Sequence, residues 1–274
     1  MIEIGKFNQL TVNKRDFDVY FDGGELGDIL LPASEVPENC KIGDSFNVFV
    51  YSGVKGQLTA TFIKPLAEVD DIAWLKAVSV SHAGGFLAWG LPKDLLVPFS
   101  EQRYEMVAGK YYLVKIFLDD ENRIAATMKF EDLIIEESYY FKEGEKVSAI
   151  IAEKTDLGFK AIVNNSHWGV IYENEIFQPL KKGQTVTAYI KQIRPDKKID
   201  LILQAPGYGK VEELTDKILR KLKENNGFLA LSDKSPPEQI YEMFGVSKKV
   251  FKQAIGALFK QKLIDLDKQS IRLL

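Results

Sequence analysis

Apolar and polar residues alternate along much of the first 206 residues of this 274-residue chain, in short runs separated by turn-forming sequences. A period of two residues is typical of a β-strand that buries one face. The same succession of runs occurs three times. Beyond residue 210 the apolar residues recur instead at the spacing of amphipathic helices. The pattern therefore predicts a repeated β portion followed by a smaller domain that contains helices.

The three copies of the repeat align on a short strand that runs into a polar turn. These segments are residues 28–35, 94–101 and, as a looser version, 168–175. A glycine follows each segment at the same distance, and a strand-turn-strand pattern comes after it; the glycines are Gly43, Gly109 and Gly183. Five short strands in about 65 residues favour a small closed barrel, because closure leaves no exposed sheet edge.

The strand order of each copy resembles that of S1 domains, which are RNA-binding barrels of the OB-fold type. The resemblance lies in an aromatic-bearing second strand, a third strand that runs into a Ser-Glu or Asn-Glu turn, and the terminal hairpin. It predicts a mainly β fold with three tandem S1-type OB-fold β-barrels over residues 1–66, 67–143 and 144–206. The alternative is that these barrels serve only as spacers.

Residues 207–274 predict an α+β winged-helix domain. One amphipathic helix covers residues 210–225, and a second begins with Ser235 as its N-cap and ends at Gly245. Ser247 caps a third helix. The apolar side of that helix carries Phe251, Ile255, Leu258 and Phe259. The remaining residues alternate around a polar turn, as the hairpin of a wing does.

The whole chain resembles one family of bacterial proteins, the conserved virulence factor B family. The most specific segments are residues 226–235, which read NGFLALSDKS, and residues 244–256, which read FGVSKKVFKQAIG. The resemblance implies RNA binding coupled to post-transcriptional control of gene expression, including virulence genes in pathogens. It implies neither catalytic residues nor a cofactor.

Composition narrows the class of protein without identifying it. The 46% apolar and 27% charged residues are those of an ordinary globular protein, and neither a long apolar stretch nor a signal peptide is evident. We therefore expect a cytoplasmic protein that makes no use of a membrane. With one cysteine, Cys40, and two histidines, no internal disulfide can form and no plausible set of zinc ligands exists, so we expect no metal.

The net charge of −3 conceals an uneven distribution. Residues 1–143 contain 14 Lys and Arg against 23 Asp and Glu, a net charge of −9. Residues 144–274 contain 22 against 16, a net charge of +6. A polyanion is therefore attracted to the second part of the chain and weakly repelled by the first.

The third barrel combines the two kinds of residue that hold single-stranded RNA, which are aromatic rings that stack on bases and basic groups that attract phosphates. The predicted RNA-binding residues of this barrel are Phe159, Lys160, His167, Trp168, Tyr172, Lys191, Arg194, Lys197 and Lys198. We place His167 in the loop beside the aromatic strands. In S1 domains the position of Tyr172 often carries a histidine that touches RNA. Each ring has a structural alternative as a core residue.

The first two barrels depart from the S1 pattern. Pro32 and Pro98 occupy the position of Tyr172, and proline neither donates a hydrogen bond nor stacks as broadly. Other candidate stacking residues, in acidic surroundings, are Phe17, Tyr20, Phe86 and Trp89. We predict that these two barrels bind RNA weakly or contact protein partners.

The third helix of the winged-helix domain carries a second basic surface, with Lys248, Lys249 and Lys252 as predicted RNA-binding residues. No acidic residue interrupts residues 248–262, and Gly256 leaves the backbone accessible. The position corresponds to the recognition helix of a helix-turn-helix. The alternative is that the lysines form only a solvated face.

We predict a protein without catalytic activity, because its paired carboxylates lie on strands or turns that do not suit acid-base chemistry. It binds single-stranded RNA through the third barrel and the winged helix. One alternative is a winged-helix DNA-binding transcription regulator that uses the barrels for protein contacts, although its recognition helix lacks the Arg or Asn that reads base edges. A nuclease accessory subunit is a further alternative.

Overall fold

The computed structural model describes four stretches of the chain, and for residues 209–213 it describes the backbone alone. The described stretches are residues 2–53, 56–176, 178–204 and 209–274. The predicted domain boundary between residues 206 and 207 lies outside them. The chain forms two compact units, Met1–Ile134 and Ile135–Leu274. No helix in the described stretches combines the length and apolar character needed to cross a membrane.

The first barrel closes through five strands. They are β1 (Phe7–Arg15), β2 (Val19–Asp22), β3 (Asp28–Leu31), β4 (Ser45–Ser52) and β5 (Leu58–Thr61). The hydrogen-bonded order is β1-β2-β3-β5-β4, and β4 pairs back with β1 to close the barrel. Side chains that alternate along the strands fill the interior, including Val12, Phe21, Ile29 and Val50.

The second and third barrels repeat this topology, so the predicted fold of three five-stranded barrels is confirmed. The second comprises β6 (Ile72–Ser81), β7 (Gly84–Ala88), β8 (Leu95–Pro98), β9 (Tyr111–Leu118) and β10 (Ile124–Thr127). The third comprises β11 (Lys146–Thr155), β12 (Gly158–Val163), β13 (His167–Tyr172), β14 (Thr185–Ile193) and β15 (Ile199–Ile202). In each barrel the third and fifth strands are parallel.

The repeated glycines adopt the same backbone conformation and make the same hydrogen bond in every barrel. Gly43, Gly109 and Gly183 have φ angles of 94°, 87° and 81°, in the left-handed region that favours glycine. Each donates its N–H to a carbonyl of the first strand of its barrel, at 2.9, 2.7 and 2.7 Å respectively. That strand has a register shift at the same place in all three barrels, which bends it around the closed sheet.

The first two barrels share a buried interface within the first unit. Phe49 lies between the core residues Val48 and Val50 of β4, so its side chain points out of the first barrel. It is fully buried and belongs to the hydrophobic cluster of the second barrel, with its ring 6.0 Å from that of Trp89. Trp89, a candidate stacking residue, is therefore an interface core residue.

The C-terminal domain has the order of a winged helix, as predicted. Its elements are α1 (Gly209–Glu224), β16 (Phe228–Leu229), α2 (Pro237–Phe244), α3 (Lys248–Lys260), β17 (Ile264–Leu266) and β18 (Ile271–Leu273). The strands form a sheet in the order β16-β18-β17. The apolar stripes of the helices meet in one core that includes Ile218, Leu222, Phe251 and Leu258.

Local details of the helices correct two predictions. Ser235 does not cap α2, because the helix begins one residue later with Pro236 as its N-cap, and the Ser235 hydroxyl accepts the N–H of Ser232 at 2.9 Å instead. Phe259, predicted on the apolar side of α3, is 50% exposed. The cap at Ser247 is confirmed, since its hydroxyl accepts the N–H of Val250 at 3.4 Å.

Residues 135–141, which the sequence placed with the second barrel, pack against the third. The N–H of Trp168 donates to the carbonyl of Ile135, and the N–H of Ile135 donates to the carbonyl of Ser166, both at 2.9 Å. Phe141 packs against the core of the third barrel. This segment therefore belongs structurally to the third barrel and covers it near the start of β13.

Candidate nucleic-acid interface

The register of β12 and β13 decides which predicted residues of the third barrel share a face. Phe159 pairs with Ile171, and Lys160 pairs with Val170. Because Ile171 is in the core, Phe159 faces the interior end of the barrel, where it is half-buried. Lys160, Trp168 and Tyr172 lie on the outer face. The expectation that the three aromatic rings share one surface is therefore wrong for Phe159.

Tyr172 is the outer-face ring that is most available to a ligand. Trp168 is only 8% exposed, and the ammonium group of Lys160 lies 3.8 Å from the centre of its ring. This cation–π contact already covers the indole. Tyr172 is half-buried and lies at the end of β13, opposite Gly158. The outer face thus offers one aromatic ring that can stack, with Lys160 beside it.

Gly158 is required by the close approach of β12 to β13 at this point. Its φ angle is +143°, outside the range that other residues adopt easily. A Cβ atom at this position would lie 2.1 Å from the carbonyl oxygen of Ile171 and 2.7 Å from the N–H nitrogen of Glu173. The glycine therefore permits the strand pairing that positions Tyr172.

His167 is a core residue rather than an RNA contact, which corrects the prediction. It is the first residue of β13, not part of a loop, and it is fully buried. Its Nε2 lies 2.9 Å from the hydroxyl of Tyr140, and its Nδ1 lies 2.9 Å from the hydroxyl of Ser166. The rings of Tyr140 and Phe141 pack edge-on against the imidazole. Burial lowers the pKa of His167 below its ordinary value of 6.5.

The buried imidazole should make the third barrel sensitive to acid. Since the pKa of His167 is lowered in the folded protein, the unfolded chain binds the extra proton first as the pH falls below about 6.5. The stabilisation is complete above that pH and is lost as the pH falls towards the folded-state pKa, with a slope of at most about 1.4 kcal/mol per pH unit. Urea unfolding between pH 7.5 and 5.0 should show His167→Gln losing less stability than the parent. Parallel curves for the two proteins would contradict this assignment.

Most predicted basic residues near the turn between β14 and β15 have partners. Lys191 lies 2.7 Å from Glu175, Arg194 lies 3.0 Å from Asp196, and Lys198 lies 3.4 Å from Glu136. These pairs are at least partly exposed, and such pairs are worth about 0–1 kcal/mol. A phosphate can therefore compete for the same cations. The turn is therefore rich in basic side chains, but most of them are paired with carboxylates in the unbound protein.

An exposed ring beside this turn was not among the predicted RNA-binding residues. Tyr139 is 74% exposed, and the ammonium group of Lys197 lies 5.7 Å from its ring centre. The N–H of Ser138 donates to the carbonyl of Lys197 at 2.9 Å, which fixes the segment against the turn. The Tyr139 hydroxyl bonds to Glu137. The run of three aromatic residues ahead of the third barrel was the signal that could have found it.

The predicted lysine surface of α3 is smaller than the sequence indicated. Lys248 is half-buried and donates to the carbonyl of Ser235 at 2.8 Å, so it ties α3 to the segment before α2. Lys252 is exposed and lies 3.6 Å from Asp233. Lys249 is exposed. The exposed lysines of α3 are therefore Lys249, Lys252 and, further along the helix, Lys260.

The third barrel and the winged helix contact each other within the second unit. The hydroxyl of Tyr241 on α2 donates to the side-chain oxygen of Gln178 at 2.7 Å. The N–H of Ser247 donates to the side-chain oxygen of Gln204 at 3.3 Å. Beside these contacts lies a cavity of about 270 Å³ whose lining includes Ile176 and Pro237. The two domains are therefore held together by specific polar contacts.

No group of three or more His, Cys, Asp or Glu side chains in the described stretches is arranged to hold a metal ion. The cysteine, Cys40, is a buried free thiol in the first barrel.

Two families of nucleic-acid-binding domain match the chain. The S1 domain matches residues 4–62, which form the first barrel, and the CvfB-like winged helix domain matches residues 216–273. Both families belong to the class of nucleic-acid-binding domains, so nucleic acid binding is the general activity that they indicate. The S1 match falls on a different barrel from the one that carries Tyr172.

The chain also has relatives along nearly its whole length. It is 27% identical to "Conserved virulence factor B" of Staphylococcus epidermidis, over 98% of this chain and 94% of the relative. It is 28% identical to "Uncharacterized protein YitL" of Bacillus subtilis, over 92% and 88%. A crystal structure of a multidomain protein with nucleic acid binding domains from Streptococcus pneumoniae aligns over 99% of this chain and 98% of its own, at 23% identity and a TM-score of 0.42.

Proposed function

We propose that this chain, which resembles the conserved virulence factor B family, is a post-transcriptional regulator that binds single-stranded RNA through its third barrel and its winged helix. The name of the family connects its members with virulence, which fits control of gene expression in a pathogen. Its S1 and winged-helix domains are of kinds that bind nucleic acids without performing catalysis.

The observation that carries the proposal is the joint presence of an available ring and excess positive charge on the second unit. Tyr172 lies on the outer face of the third barrel, in the position of the RNA-contacting residue of S1 domains. Residues 135–274 contain 23 Lys and Arg against 19 Asp and Glu, a net charge of +4, whereas residues 1–134 contain 13 against 20, a net charge of −7. A ring that can stack and a net positive charge therefore coincide on the second unit.

The proposed path of the RNA crosses the outer face of β12 and β13. Tyr172 marks one end of this face, and the basic turn that contains Arg194 and Lys197 lies towards the other, because β15 begins beside Gly169. Four residues of β-strand span about 13 Å. A short segment of a few nucleotides can therefore contact both the ring and the basic turn. Protein contacts through the first two barrels complete the proposal, since their acidic character opposes RNA.

One residue favours the alternative of a duplex-DNA reader. Gln253 is exposed on α3, and glutamine can pair with the edge of adenine in a major groove. The other exposed polar side chains of α3 are lysines, which attract phosphates without reading bases. The helix is thus equipped for backbone attraction more than for sequence-specific duplex recognition.

A direct comparison of ligands tests the proposal. We expect the full-length protein to bind a 20-nucleotide single-stranded RNA more tightly than a 20-base-pair DNA duplex at the same salt concentration, by fluorescence anisotropy. The plot of log affinity against log salt should fall by about 0.7 for each phosphate contact with a single strand. Tighter binding of duplex DNA across salt concentrations would reject the proposal in favour of a DNA-binding regulator.

Variants of two rings on opposite faces sharpen this test. Tyr172→Ala should weaken RNA binding by about 1–3 kcal/mol, the usual value of a base stack, with little change in melting temperature. Phe159→Ala should mainly lower the melting temperature, because this ring packs against the core. Tyr111→Ala, at an exposed ring of the acidic second barrel, is the matched control and should leave RNA affinity unchanged. Equal losses of affinity for Tyr172→Ala and Tyr111→Ala would contradict a site on the third barrel.

A further inference from the structure

Phe259 lies at the edge of the solvent-facing side of α3. The buried side of the helix is formed by Phe251, Ala254, Ile255 and Leu258. With 3.6 residues per turn, Phe259 falls beside this set, and it is 50% exposed. A single exposed ring is common on protein surfaces and indicates little by itself. Phe259 is of interest because a glycine and two lysines of α3 lie near it on the helix.

Gly256 lies one turn before Phe259, in the interior of α3. Glycine weakens a helix relative to alanine, so its presence in a helix interior calls for a reason. The backbone does not supply one, because Gly256 is not among the residues with positive φ. Packing does not supply one either, since a Cβ atom at this position would meet no atom of the described residues within 4 Å. A ligand that approached α3 at this position would meet no side chain.

The two residues are placed to act together. Side chains on a helix lean towards its N-terminus, so Phe259 leans towards the turn that contains Gly256, and its ring stays more than 4 Å from the Cβ position there. Because Gly256 has no side chain, the space beside the ring is open. Lys252 lies seven residues before Phe259, about 10 Å along the helix, and Lys260 follows directly. Residues 248–260 include no acidic side chain that would repel a phosphate.

We propose that Phe259 and the open space at Gly256 form a stacking site for one base of single-stranded RNA, with Lys252 and Lys260 attracting the adjoining phosphates. The inference rests on the proposed RNA binding and adds a site on the winged helix that reads the flat face of a base. A helix that bound only the phosphates of the RNA would need the lysines but neither the ring of Phe259 nor the glycine at position 256. A stacking site accepts any of the four bases, because each has a π-face.

A cycle of protein and RNA changes tests the site in the full-length protein. The probes are a 12-nucleotide oligouridylate and a strand of the same length and charge that has abasic ribose throughout. Phe259→Ala should weaken binding of the oligouridylate about 5- to 150-fold, the range of a lost base stack, and leave binding of the abasic strand unchanged. Phe259→Trp should restore the affinity for the oligouridylate. Equal effects of Phe259→Ala on both strands would overturn the inference.

Filling the space at Gly256 gives a second and independent measurement. Gly256→Leu should raise the melting temperature or leave it unchanged, because leucine is the better helix former, and yet weaken oligouridylate binding to a degree similar to Phe259→Ala. Phe228→Ala, at another ring of this domain that is 44% exposed, is the matched control and should retain full affinity. Unchanged affinity for Gly256→Leu, or equal losses for Phe228→Ala and Phe259→Ala, would reject the site.

The outcomes separate this inference from the proposal on which it rests. If the parent protein binds oligouridylate and Phe259→Ala binds it equally well, the stacking site is rejected and RNA binding stands. If the parent binds neither single strand, the proposed function itself is rejected. If Phe259→Ala weakens binding to duplex DNA alone, the ring contacts base edges in a groove and the stacking site is again rejected.

Discussion

A fragment of residues 135–274 should bind single-stranded RNA with nearly the affinity of the full chain, while residues 1–134 should bind at least about tenfold more weakly. The physical reason is that the second unit carries a net charge of +4 and contains both Tyr172 and α3, whereas the first unit is acidic. Anisotropy titrations of both fragments at one salt concentration measure the difference. Tighter binding by residues 1–134 would show that charge does not govern the interaction.

The starting residue of the fragment matters for its stability. A shorter fragment of residues 144–274 lacks Ile135, which bonds to the edge of β13, and Tyr140 and Phe141, which cover His167. We therefore expect it to melt at a clearly lower temperature than residues 135–274. Thermal melts of the two fragments provide the control for the binding experiment, because loss of folding would otherwise resemble loss of affinity.

Gly158→Ala should disrupt the third barrel and strongly weaken RNA binding by the full-length protein, leaving the contribution of the winged helix, under conditions where the parent remains folded. The added Cβ atom would lie 2.1 Å from a backbone oxygen, at a φ angle that alanine rarely adopts. Backbone strain and overpacking of this kind together destabilise a protein by about 3 kcal/mol or more. Urea unfolding measures the loss of stability, and anisotropy measures the loss of binding.

The equivalent glycine of the second barrel is the matched control. Gly84 has a φ angle of +144°, and a Cβ atom there would lie 2.2 Å from the carbonyl oxygen of Val97. Gly84→Ala should therefore damage the second barrel to a similar degree while RNA affinity is retained. If both variants lose RNA binding alike, the second barrel takes part in the site, and the restriction of RNA to the second unit is mistaken.

The architecture was predictable because the deciding signals are local. Strands with one buried face show themselves by alternation, and the glycine that follows each third strand recurs because the same left-handed backbone position recurs in every barrel. The cap of α3 at Ser247 is equally local. Ser235 misled because its hydroxyl accepts the N–H of Ser232, three residues earlier, and α2 begins after Pro236 without a side-chain cap.

The candidate site was less predictable because burial depends on contacts between distant segments. The sequence placed His167 in an accessible loop, but residues 135–141 pack over it and bury it. No pattern within β13 indicates that this segment covers the imidazole. Phe159 and Tyr172 were expected on one face, but their relation depends on the pairing register of two strands. Phe259 was assigned to the core from helical period alone, although it falls at the border of the apolar stripe, where the period does not decide exposure.

The position of Phe49 has a consequence for how the molecule can be divided. Its side chain leaves its own barrel and completes the core of the next, so separating the two would expose Phe49 on one surface and Trp89 on the other. We therefore regard the first two barrels as one cooperative folding unit with a single melting transition. We expect the pair to fold when it is fused to another protein as one module. Either barrel alone would expose a large aromatic side chain at the former interface and would tend to aggregate.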